Sequence, residues 1–243
     1  MRKVIVIPVR YGSTRFPGKP LVHLHGKPLI QWVYECALKS DIREIYVATD
    51  DKRIFDTVIN FGGKAVLTGE HPSGTDRVAE AVNILGFSKE DLIINLQGDQ
   101  PFFPAEYFPL LLQPLLLNPE IPMATLATPI RDKKDLENPN KVKVVVDRSG
   151  RALYFSRSPI PYFRPPGKEP VYLKHLGVYA FRKFFLDDFV KLPQGDLEKA
   201  EKLEQLRALE YGFTIAVSLA PQDIPEVNTP EDLELLKTYL RVP

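Results

Sequence analysis

Along the first half of the chain, hydrophobic residues fall into two alternating kinds of run. Lys3–Val9 is apolar almost throughout, the pattern of a strand buried on both faces. Leu29, Ile30, Val33 and Ala37 then recur at helical spacing, so a helix is predicted from Pro28, as first helical residue, to about Leu38. Glu44–Thr49 reads as a second strand. Asp51 can cap a helix to about Asn60 with Ile54, Val58 and Phe61 inward, stopped by Gly62-Gly63. Ala65–Leu67 is a short third strand, Gly74–Leu85 a helix, and Leu92–Leu96 a fourth strand. Repetition of strand and helix at this spacing means βαβ units, hence a parallel sheet wound right-handedly.

The pattern changes in the second half. After a helix over about Ala105–Leu117 come β-type pieces at Met123–Ile130, Val142–Asp147, Ala152–Phe155 and Leu173–Phe181, with a hairpin turn signal at Asp147-Arg148-Ser149-Gly150. Two helices follow, about Arg182–Lys191 and Leu197–Tyr211, then a strand Thr214–Leu219 and a helix Pro230–Leu240. No internal repeat or linker interrupts the chain. The expectation is one α/β domain over residues 1–243, with a Rossmann-like, mostly parallel sheet, helices on both faces and an antiparallel β insertion near 120–180.

Composition narrows the function. Lys and Arg number 32 against 31 Asp and Glu, a net charge of +1, so neither nucleic acid nor an anionic membrane is indicated and any cationic site must be local. Cys36 is the only cysteine, which excludes an intramolecular disulfide or a cysteine metal cluster and fits a reducing compartment. The first apolar run is too short for a secretory leader or a membrane span.

Open α/β sheets bind ligands beyond the carboxyl ends of their strands. Two strand ends carry chemistry here. The first is Pro8-Val9-Arg10-Tyr11-Gly12-Ser13-Thr14-Arg15-Phe16-Pro17-Gly18-Lys19-Pro20-Leu21, whose cations and glycines suit a polyphosphate and equally suit a solvated surface loop. It is not a Walker A loop: five residues separate Gly12 from Gly18, and Pro20 follows Lys19. A G-x-G-x-x-G fingerprint is also missing, which argues against a dinucleotide enzyme. The second is Gln97-Gly98-Asp99-Gln100-Pro101, where Asp99 is placed to hold a hard cation or simply to cap the turn. Ser73-Gly74-Thr75-Asp76-Arg77 opens a helix, where exposed N–H groups and hydroxyls can meet a base, a ribose or an anion; ordinary capping by Ser73 accounts for it as well.

Together these residues resemble a known family, the 3-deoxy-manno-octulosonate (Kdo) cytidylyltransferases, or CMP-Kdo synthetases. The resemblance runs through Ile7–Leu21, Ser73–Arg77, Gln97–Pro101, Ala152–Pro161 (A-L-Y-F-S-R-S-P-I-P), His175–Phe181 (H-L-G-V-Y-A-F), and Leu203–Gly212 with Asn228–Glu234. It implies a nucleotide-diphospho-sugar transferase-like fold and the reaction CTP + Kdo → CMP-Kdo + pyrophosphate, with Mg²⁺ as cofactor and lipopolysaccharide as destination. By similarity Arg10, Ser13, Arg15 and Lys19 hold the triphosphate, with Pro8 beside them. Arg10, Arg15, Lys19 and Asp99 would be the catalytic set. Ser73, Gly74, Thr75 and Arg77 would contact cytidine, and Gln97 would sit beside the reacting centre. Asp99 and Asn228 would bind the metal, Asn228 standing where the family has aspartate; it keeps an oxygen donor but no charge. Thr229, Pro230 and Asp232 also form a capping-box-like helix start. For the sugar acid, similarity points to Arg157 and His175 toward the carboxylate and to Tyr179, Glu204 and Gln205 toward the hydroxyls. No general base is evident, so the sugar hydroxyl is expected to lose its proton without a dedicated side chain. A cytoplasmic homodimer joined through the antiparallel insertion, from a Gram-negative bacterium, is also implied. A sister enzyme with another sugar or base, and a non-catalytic binding protein, remain the rival readings.

Overall fold

The structure, a computed structural model, describes residues 1–12 and 16–239. The chain begins with β1 (Lys3–Pro8), a 3₁₀ turn at Lys19–Leu21, a small antiparallel hairpin of β2 (His23–Leu24) and β3 (Lys27–Pro28), and α1 (Leu29–Leu38). Then come β4 (Glu44–Thr49), α2 (Lys52–Asn60), β5 (Ala65–Leu67), α3 (Gly74–Ile84) and β6 (Leu92–Asn95). The second half runs α4 (Tyr107–Leu117), β7 (Met123–Pro129), α5 (Lys133–Glu137), β8 (Lys143–Val146), β9 (Ala152–Ser156), β10 (Leu173–Arg182), α6 (Lys183–Phe189), α7 (Asp196–Glu201), α8 (Leu206–Glu210), β11 (Ile215–Leu219) and α9 (Pro230–Tyr239). Two compact units result: Met1–Phe108 with Ile224–Pro243, and Pro109–Asp223.

In the first unit β1 pairs in parallel with both β4 and β6, and β4 pairs in parallel with β5. The order is therefore β6-β1-β4-β5. Val4–Ile7 and Leu92–Ile94 are wholly buried, as a strand covered on both faces requires. Right-handed crossovers from β1 to β4 and from β4 to β5 put α1 and α2 on one face; the step back from β5 to β6 puts α3 on the other. Strand order thus reverses between β1 and β6, where ligands bind in sheets of this kind.

The caps follow the residues that predicted them. Asp51 accepts from Arg53 N–H at the start of α2, and Ser73 accepts from Asp76 N–H at the start of α3. Thr229 and Asp232 bond reciprocally at the start of α9. Pro28 lies one residue outside α1, as its N-cap, because its extended ψ of 146° ends β3.

The second unit is mixed α/β. β7 lies between a parallel β11 and an antiparallel β10; β8 pairs antiparallel with β10 and β9. The β8–β9 hairpin turns at Gly150, whose φ of +77° suits glycine. β10 carries a bulge: its register against β7 shifts between His175 and Tyr179, with Gly177 at φ +69° inside it.

The single helix expected over Leu197–Tyr211 is instead two, α7 and α8, broken at Lys202 in the left-handed region. Buried Arg207 pairs with both oxygens of buried Glu198, at 2.8 and 2.7 Å. The Glu210 carboxylate also accepts from Leu197 and Glu198 N–H at the start of α7. On one straight helix residues 198 and 207 would stand about 13 Å apart. The break lets the pair close.

Candidate functional site

Three loops of the first unit meet over the β1/β6 reversal. A cavity of about 310 Å³ is lined there by Pro8, Val9 and Arg10 after β1, by Gln97, Gly98 and Asp99 after β6, and by residues 71–74 and Arg77 at the start of α3. Lys19, Pro20 and Asn228 complete it. The loops touch closely: a Cβ on Gly98 would lie 2.3 Å from Val9 Cγ1, and one on Gly74 would lie 3.3 Å from Pro8 Cγ. Glycine at 98 is therefore a condition of the loops meeting at all.

The phosphate-type loop folds back on itself. Gly18 N–H donates to Tyr11 C=O at 2.9 Å, and Gly18, at φ +69°, packs on the Tyr11 ring. The Arg53 guanidinium stacks on that ring at 3.5 Å. The turn aims Lys19 inward, where Nζ donates to Asp99 Oδ2 at 2.9 Å and to Val227 C=O at 2.8 Å. Val227 N–H in turn donates to Asp99 C=O. The cation of the first strand end and the carboxylate of the second thus share one crevice. Ser13 and Arg15 lie outside the described residues.

Asp99 and Asn228 supply one carboxylate and one amide to the cavity. Asn228 Nδ2 points to Glu226 Oε2 at 3.4 Å, which leaves its amide oxygen as the available donor atom. Among the described residues no group of three or more His, Cys, Asp or Glu side chains could hold a metal. A set of two oxygens suits Mg²⁺, which keeps waters and takes phosphate oxygens from its substrate.

At the head of α3, Ser73 and Gly74 line the cavity but Thr75 does not: it is buried and accepts from Asn95 Nδ2 at 3.3 Å. Arg77 lines the cavity with its guanidinium already engaged, to Asp50 Oδ2 at 2.6 Å, Thr68 Oγ1 at 2.6 Å and Gly69 C=O at 3.2 Å. Gln97 is steadied by Asn95. Sequence reasoning missed His71, which lines the cavity, and Asp50, which anchors Arg77 from the end of β4. Asp50 directly follows a strand, and that position was the signal available for it.

The residues expected around a sugar acid lie in the second unit. His175, Tyr179, Glu204 and Gln205 come together; Tyr179 OH donates to Gln205 Oε1 at 3.1 Å, and the His175 and Tyr179 rings are 5.4 Å apart. Thr125 donates to Val178 C=O at 2.6 Å and so accepts from His175 Nε2–H at 2.9 Å. Burial, and then the Lys174 charge, push the His175 imidazole down to about 3. It is neutral, and is a hydrogen-bonding group rather than the cation expected beside a carboxylate. Burial and the Glu204 carboxylate raise the Tyr179 phenol well above its usual range. Gln205 Nε2 is buried with no partner, an orphan donor that a ligand's oxygen would satisfy. Arg157 stands apart from the expectation: its guanidinium donates to the carbonyls of Glu201, Pro139 and Lys202 and clamps the end of α7.

Known proteins match the whole of this frame. A sequence model described as cytidylyltransferase matches residues 4–218. The 8-amino-3,8-dideoxy-manno-octulosonate cytidylyltransferase of Shewanella pealeana is 52% identical over all of both chains. The 3-deoxy-manno-octulosonate cytidylyltransferase of Syntrophobacter fumaroxidans is 52% identical over 99% of this chain and 97% of its own. A solved structure of CMP:2-keto-3-deoxy-manno-octonic acid synthetase complexed with CTP superposes with a TM-score of 0.93 at 45% identity, over 99% of this chain and 98% of that one. Matched from the first strand to the last, the chain belongs to the cytidylyltransferase family.

Proposed function

We propose that this protein activates 3-deoxy-D-manno-octulosonate: CTP + Kdo → CMP-Kdo + pyrophosphate, in the cytoplasm, for lipopolysaccharide. The observation that carries the reading is the Lys19–Asp99 pair within a cavity that also holds Arg10 and the α3 N-terminus. The anomeric hydroxyl of the sugar attacks the α-phosphorus and gives its proton to solvent water, the bond from that phosphorus to the oxygen bridging to the β-phosphate breaks, and pyrophosphate leaves with the bridging electrons. Transfer of this kind rests on positioning and on charge stabilisation. Arg10 and Lys19 bind the triphosphate. Its negative charge draws the Lys19 ammonium off Asp99, which frees the carboxylate for a cation. Asp99 and Asn228 would hold Mg²⁺, which when bound neutralises phosphate charge. Ser73 and Gly74 offer helix N-terminal donors. In the second unit His175, Tyr179, Glu204 and Gln205 orient the sugar acid through hydrogen bonds, and no side chain serves as a general base. The antiparallel strands near residues 120–180 join two copies.

The test is pyrophosphate release from each of four NTPs with Kdo, with and without Mg²⁺. Release with CTP, Kdo and Mg²⁺ is expected; CTP binding without release would favour a non-catalytic protein. A second reading has specific support, since the Shewanella relatives are named for the 8-amino-3,8-dideoxy sugar at comparable identity. Running both sugars in competition decides it by the ratio of the two CMP-sugar products.

A further inference from the structure

His71 is the side chain of the cleft that neither the loop chemistry nor the family motifs explain. It precedes the α3 cap, lines the cavity, and is partly exposed to it. Its Nε2 is bonded to Glu80 Oε2, and that oxygen also accepts from Gly69 N–H at 2.8 Å. Glu80 rises from α3 one turn beyond Arg77, which holds Gly69 C=O and Thr68. Residues 68–71 are therefore fixed at both backbone polar groups of Gly69 and at the His71 ring.

An ionised carboxylate only accepts hydrogen bonds, so the ring must place its proton on Nε2. Whenever the ring carries a single proton, Nδ1 is then a fixed acceptor. An acceptor backed by a carboxylate is a poor neighbour for phosphate. The cations Arg10 and Lys19, from the β1 loop, suit the triphosphate instead. What an acceptor suits is an amine. The 4-position of cytosine bears an NH₂ donor where uracil bears an oxygen acceptor. We propose that His71 is a specificity-determining residue that accepts from the cytosine 4-amino group, and that Glu80 is the positioning residue that fixes its tautomer. This rests on reading the cleft as the CTP site.

The experiment is the ratio of kcat/KM for CTP over UTP, from pyrophosphate release, in wild type, His71→Ala, His71→Gln and Glu80→Gln. His71→Ala should lower the ratio by about tenfold or more, the scale of one hydrogen bond lost to a site that needs it. His71→Gln, with an amide oxygen as acceptor, should recover part of it. Glu80→Gln, which lets the proton move to Nδ1, should lower it in the same direction. A general loss of stability would slow both nucleotides alike. Where a variant does not fold, the wild type decides by ¹⁵N NMR: the His71 ring should be the Nε2–H tautomer, with an Nδ1 signal that CTP moves and UTP does not. An unchanged ratio in an active His71→Ala protein, or an Nδ1 signal indifferent to CTP, overturns the role of His71 alone. A wild type that binds CTP yet transfers it to neither sugar overturns the reaction and leaves the NMR arm to judge His71.

Discussion

At the scale of single residues, Asp99 and Lys19 keep each other poised, each limiting the charge the other presents to the cleft. Removing the carboxylate removes the group that would hold the cation neutralising the departing charge. Asp99→Ala should cost at least ~10²-fold in kcat, the scale for loss of one such stabiliser, with CTP binding largely kept. Retained turnover would mean the cation is held elsewhere. Asn228→Asp adds a charge beside Asp99 and should lower the Mg²⁺ concentration needed for half-maximal rate; an unmoved metal titration would leave residue 228 as part of the α9 cap, where its N–H donates to Asp232. Lys19, Asp99 and Ser73 were legible in the sequence because strand ends and helix starts announce themselves by neighbours in the chain. The neutral state of His175 was not, since burial and the Lys174 charge are properties of the folded sheet.

Among elements, the pairing of β1 with β6 makes the crevice, and a buried aspartate fastens it at the end away from the ligand. Asp91 accepts from Arg2 N–H at 2.6 Å, Arg2 Nε at 3.0 Å and Ser88 N–H at 2.8 Å. Burial alone would raise its pKa; the bonds from Arg2 and Ser88 outweigh burial and hold it at about 2. Unfolding returns it to about 3.9, so the unfolded chain binds the proton first. The contribution, about 2.6 kcal/mol, is therefore nearly whole above roughly pH 4 and is lost as pH falls toward 2 and below. Denaturant melts should show Asp91→Asn less stable by about that amount at pH 7, with the gap to wild type closing between pH 4 and pH 2. A gap that persists at pH 2 would place the loss in packing. Most elements were legible, since their apolar spacing survives into the fold. The break at Lys202 was not: nothing near it in the chain marks it, and its cause is the Glu198–Arg207 pair that the bend brings together.

For the whole molecule, a ligand that binds only the native state adds its binding energy to stability. Saturating CTP at about 100 times its Kd should contribute about 2.7 kcal/mol, and so raise Tm by roughly 5–10 °C for a chain of this size, with GTP giving much less. Equal shifts with both would argue against a cytidine site. The alternation of strand and helix gave the parallel half of the architecture, and the hairpin signal at residues 147–150 gave part of the antiparallel half. The division into two compact units left no mark in composition, because no linker separates them and the first unit is completed by residues from the far end of the chain. Val227 belongs to that returning stretch, and it is buried with Leu24, Leu29, Leu233 and Leu236 while its backbone holds both Lys19 and Asp99. During synthesis the amino-terminal hundred residues must therefore wait. Until residue 227 has been made and folded back, the strands of the nucleotide site lack the peptide group that brackets its charged pair.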